Sequence, residues 1–136
     1  MHVAIYGEWR PVWLLLAVYC LGCTVSAQAQ TDDEAFRAIV AEFADANFRE
    51  KEAIAGRLLN TGHPGVRDVL TALMDGQVFI REHDAQAFVV ESTTEDLAEF
   101  TLLDPASQEP VGSAPSDQLN RIITNNQLRR FLRTSL

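Results

Sequence analysis

The chain has 136 residues, 47% of them hydrophobic, and a formal net charge of −8. That length and apolar content fit one globular domain, and the acid excess excludes a surface that binds nucleic acid or anionic lipid over most of its area. The charge is uneven: residues 31–116 hold 17 acids and 6 bases, whereas 117–136 set Asp117 against Arg121, Arg129, Arg130 and Arg133.

Residues 1–29 read as a signal peptide. Pro11 to Cys23 runs 13 residues without a charge, short of the roughly 20 that a membrane-spanning helix needs. Ala27-Gln28-Ala29 then places small residues at a cleavage site. The expected mature chain starts at Gln30 and is exported to the periplasm or the extracytoplasmic face of the bacterial inner membrane. An uncleaved anchor is one alternative; a lipoprotein carrying its lipid on Cys23 is another, opposed by Cys20 at the position where such processing wants a leucine-like residue. Cleavage removes both cysteines and both tryptophans, so residues 30–136 carry no thiol, disulfide or cysteine-based metal site.

Thr31 and Glu34 have the spacing of a capping box, and Phe36, Ile39, Val40 and Phe43 follow at the spacing of one helix face. The expected helix covers 32–46. Asn47 and Glu50 repeat the cap, opening a helix over 48–60 with Ile54, Leu58 and Leu59 inward and Gly62 as its left-handed stop. Pro64 suits the start of a third helix, whose stripe is Val66, Val69, Leu70 and Leu73 and whose stop is Asp75-Gly76. The pair resembles a single HEAT-type helical hairpin. From Val78 the period becomes alternating: Val78–Ile80, Phe88–Val90 and Phe100–Leu103 read as three strands of an antiparallel meander, with His83 to Gln86 as a turn. Asp104 to Pro115 reads as a loop rich in proline, serine and glycine. A helical segment is expected over 116–135, with Leu119, Ile122 and Ile123 inward, a break at Asn125-Asn126, and then Leu128, Phe131 and Leu132. The fold class is therefore α+β: helices within 32–75, a β segment over 77–103, and a C-terminal amphipathic helix.

Residues suited to catalysis or metal binding are sparse. The mature domain has two histidines, His63 and His83, both read as solvent-exposed turn residues, and no carboxylates at zinc-ligand spacing join them. His83-Asp84 invites comparison with a hydrolase triad, but no serine sits in a Gly-x-Ser-x-Gly elbow. The acid pairs Asp32/Asp33, Glu50/Glu52 and Glu95/Asp96 fall at helix starts or in loops. No glycine-rich phosphate loop is present. The expectation is a protein without catalytic residues, metal or cofactor. Arg129, Arg130 and Arg133 form the one candidate contact, either with an anionic partner or lipid headgroups at the membrane, or else they complement the helix dipole and pair with the acidic body of the chain itself.

The second half carries an ordered series: Asp75-Gly-Gln-Val-Phe-Ile-Arg81, Phe88-Val-Val90, Leu103-Asp-Pro105 with Val111-Gly112, and Asn125-Asn-Gln-Leu-Arg-Arg130. In this order it resembles the N-terminal extracytoplasmic region of the urea ABC transporter permease, a relative of the branched-chain amino-acid permeases. The resemblance implies a role in a urea or amide importer, with partners among its solute-binding protein, permease and ATPase subunits. It implies no nucleic-acid contact, and membrane contact only through the signal or through downstream spans that lie outside this sequence. The family's membrane domain, which forms the solute path, is not in these residues. On that reading Phe131 and Leu132 at the cut end form an exposed apolar patch. The alternative is a free-standing periplasmic interaction module unrelated to transport.

Overall fold

A computed structural model describes residues 24–91 and 98–136, with side chains from residue 28. The apolar run of the expected signal peptide and the Glu95/Asp96 pair lie outside the described residues. The chain divides into two compact units, residues 1–31 and 32–136, and the second holds everything below except the first turns of α1.

Helix α1 spans Thr24–Ala41, so Thr31 sits inside it and not at its N-cap. Alanine and glutamine, which alternate over 27–30, are good helix formers, and the helix runs back through them past the expected cap. It also ends earlier than expected. Glu42, Phe43 and Ala44 donate to Ile39, Val40 and Ala41, three residues back, and this tight turn tucks Phe43 into the core beside Phe36 and Val40.

Helix α2 (Phe48–Thr61) starts as its sequence dictates. The Asn47 side chain accepts from the Arg49 and Glu50 amides at 3.0 and 3.1 Å, and Glu50 Oε2 accepts from the Asn47 amide at 2.8 Å. Gly62, at φ 68°, closes it. Helix α3 (Val66–Asp75) buries Val66, Val69, Leu70 and Leu73 and stops at Gly76, φ 72°.

The sheet has five antiparallel strands: β1 (Val78–Arg81), β2 (Ala87–Val90), β3 (Glu99–Leu103), β4 (Pro110–Pro115) and β5 (Leu119–Arg121), in the order β4-β3-β2-β1-β5. The expected three-strand meander is its centre, and the fold is α+β with the helical hairpin, meander and C-terminal helix in the expected sequence. Two corrections concern the flanks. The segment read as a loop holds β4, an edge strand with proline at both ends, positions where a missing ladder N–H is tolerated. The segment read as helical from Ser116 contains a single 3₁₀ turn (Ser116–Gln118) and then β5. Leu119 and Ile122 mimic a helical repeat because both faces of the sheet are buried. Three residues apart in an extended chain they point to opposite faces, Leu119 into one apolar cluster and Ile122 into the other. Ile123 is exposed.

Val78, Ile80, Ala87, Val89 and Ile122 join the helices in the main core. The opposite face gathers Phe79, Phe88, Val90, Phe100, Leu102, Ala114 and Leu119, with the Arg81 guanidinium 4.6 Å from the Phe88 ring centre and that of Arg121 5.3 Å from Phe79. Helix α4 (Asn126–Ser135) is capped by Asn125, whose side chain accepts from the Leu128 amide at 2.8 Å. It packs on α2 and α3 and buries Leu128 and Leu132 completely, while Phe131 is half-buried. Leu132 is therefore no part of an exposed patch. Burying such a side chain contributes about 1.5–3 kcal/mol, so the main core accounts for it.

Candidate functional site

Arg129, Arg130 and Arg133 stand on the exposed side of α4, opposite Leu128 and Leu132. Arg129 Nε donates to Thr124 Oγ1 at 3.0 Å. Among the described residues none of the three forms an ion pair, whereas Arg37, Arg57 and Arg81 each hold a carboxylate. Pairing of the tail arginines with the acidic body is thus not what the structure shows: the tail docks through its leucines and leaves its charges outward.

His63 is the main departure from expectation among the titratable residues. Its side chain is only 8% exposed. The ring stacks on Phe36 at 4.1 Å between centroids, Nε2 lies 2.8 Å from Asp33 Oδ1, and Nδ1 accepts from the Gly65 amide at 3.0 Å. That acceptor role assigns the ring proton to Nε2, donating to Asp33. Nothing in the Gly-His-Pro spelling marks this histidine as buried, since its partner lies 30 residues back. His83 is the exposed turn residue it was read to be. It lies 3.6 Å from Asp84, whose carboxylate is already held by Arg81.

Beside His63, Arg37 reaches Asp104 with two hydrogen bonds of 2.7 Å, and the Ser107 amide and hydroxyl donate to the same carboxylate at 3.2 and 3.0 Å. The Arg37 bonds hold Asp104 below the usual carboxylate range despite its partial burial, and the pair raises Arg37 in turn. A Cβ on Gly65 would lie 2.9 Å from the Ala106 carbonyl oxygen. The α2–α3 corner, α1 and the Asp104-Pro105 turn are thereby locked together, with Asp33, Arg37, His63 and Asp104 as the polar bolt. These groups are mutually satisfied, which is the pattern of a structural network.

A second polar side chain is buried without such a network. Lys51 is 8% exposed; its Nζ donates to the Ile123 carbonyl at 2.9 Å and lies 5.4 Å from the Phe48 ring centre. Burial pushes its pKa below the ordinary lysine value. Lys51 lines an open cavity of about 390 Å³ with Phe43, Ile80 and Ile122 as apolar wall and with Asp45 and Glu82 as its acids. Among the described residues no group of three or more histidine, cysteine or acidic side chains is placed to hold a metal ion. No helix among them is long and apolar enough to cross a membrane. Comparison with protein-family models, with curated proteins and with solved structures returns no match.

Proposed function

We propose that the chain is the non-catalytic extracytoplasmic N-terminal portion of a urea or amide ABC importer permease, acting as an accessory part that contacts the importer's other subunits. The observation that carries this reading is where the family-like residues fall. Asp75-Gly76 ends α3, Asp104-Pro105 is the turn gripped by Arg37, and Asn125 caps α4. Residues that punctuate a fold in a fixed order are harder to meet by chance than any one of the short motifs alone. The contact surface on this reading is the outward row Arg129, Arg130 and Arg133, whose guanidinium groups hold no ion pair among the described residues and suit carboxylates of a partner subunit.

The test is uptake. Removing codons 30–136 from the gene in its host is expected to abolish entry of radiolabelled urea or a short amide at micromolar concentration. Unchanged uptake of both refutes the reading. The alternative, a free-standing periplasmic interaction module, draws support from α4, which closes the main core with Leu128 and Leu132. It is favoured if the reading frame around this sequence encodes no apolar spans and no importer genes adjoin it.

A further inference from the structure

The sequence contains one lysine, Lys51, among eleven basic residues; every other cation is an arginine, which keeps its proton in proteins. Among the described residues Lys51 is also the one lysine or arginine that is buried. No carboxylate lies within ion-pairing distance of Nζ among the described residues. Burial disfavours the charged form of the amine there. A neutral amine avoids that cost: it keeps a hydrogen for the Ile123 carbonyl and gains a lone pair. Lysines desolvated in this way are the nucleophilic ones, and this one borders a cavity of about 390 Å³, within the size range of small-ligand sites.

We propose that Lys51 is a covalent capture site for small aldehydes and ketones, which it holds reversibly as imines. The Nζ lone pair adds to the carbonyl carbon while the C=O π pair moves to oxygen. One nitrogen proton passes to that oxygen, giving a carbinolamine. The C–O bond then breaks, the oxygen leaves as water with the second nitrogen proton, and C=N remains. One water is released per imine, nothing is oxidised or reduced, and hydrolysis restores the amine. Phe43, Ile80 and Ile122 favour a short apolar body on the carbonyl compound.

The single lysine makes the test direct. The full chain is treated with propionaldehyde and cyanoborohydride at neutral pH, which fixes any imine as a stable secondary amine. Alkylation of the Lys51 peptide is followed by mass spectrometry against N-acetyl-lysine amide in the same tube. Because a desolvated lysine amine is the better nucleophile, Lys51 in the folded chain is expected to react at least about fivefold faster than the reference. In concentrated guanidinium chloride that advantage is expected to vanish. A native rate less than fivefold above the reference overturns the proposal. An advantage that survives unfolding also overturns it, because it would then belong to the local sequence and not to the cavity.

Discussion

Replacing Asp104 with asparagine removes the acceptor that joins the strand region to α1. The side chain keeps its shape and one oxygen, but the two-pronged contact from Arg37 at 2.7 Å loses its charge, and one of its donors faces an amide N–H₂. A hydrogen bond to a charged group contributes about 1.5–3 kcal/mol; Arg37 is 41% exposed along its side chain, so water recovers part of the loss. The net expected cost is about 2 kcal/mol, which at roughly 4–8 °C per kcal/mol for a domain of this size lowers Tm by about 8–16 °C. The pH dependence gives an independent check. Asp104 has a depressed pKa when folded. Its stabilisation is therefore full above the pKa of the unfolded carboxyl and is lost as pH falls through the lower, folded value. Urea unfolding followed by circular dichroism from neutral pH downward is expected to show wild-type stability dropping through that acid window. D104N starts lower and drops less steeply. A D104N protein within about 0.5 kcal/mol of wild type at neutral pH, the range of ordinary surface changes, or one with the same acid slope, refutes the assignment.

Gly65→Ala is expected to destabilise by about 1–3 kcal/mol because the new methyl meets two backbone carbonyls at 2.9 and 3.0 Å. Gly56→Ala, in the interior of α2 with nothing within 4 Å, is expected to stabilise by about 0.4–1 kcal/mol; chemical denaturation of the two variants side by side checks both signs. Leu132→Ala opens a cavity under α4 and is expected to cost about 2–5 kcal/mol, measured in the same way. Changing Arg129, Arg130 and Arg133 together to glutamine is expected to leave stability within about 0.5 kcal/mol per site, a larger loss showing that they serve the fold.

The helices were legible where chemistry is local. Asn47 and Glu50 are three residues apart, and Gly62 and Gly76 adopt the positive φ that their places after apolar stripes require. The central strands were legible because β-branched and aromatic residues cluster there. The flanks were not, for a reason visible at Leu119 and Ile122. Apolar residues three apart normally mean one helix face, but a sheet buried on both sides admits the same spacing in an extended chain. At the N-terminal side, Thr31 and Glu34 spell a cap that α1 overrides, since helix formers precede it and propagation adds a hydrogen bond per residue once a helix exists.

The polar network was illegible for a different reason. Arg37 and Asp104 are 67 residues apart and His63 and Asp33 are 30 apart, so no local pattern announces them. Each member read alone looks like a solvated surface residue. Lys51 differs, because its signal lies in composition: a chain that uses arginine everywhere else and lysine once has, at that position, a group whose proton can leave. Its surroundings add what composition lacks. The Ile123 carbonyl fixes Nζ, Phe43, Ile80 and Ile122 supply an apolar wall, and both tail and hairpin contribute to one cavity. In the four-residue bolt every charge or ring nitrogen is answered by a partner; at Lys51 a carbonyl answers one hydrogen and no carboxylate answers the charge. Among the described residues the other buried polar side chain, Asp104, is paired off by Arg37, and the chemistry left unspent lies at one amine.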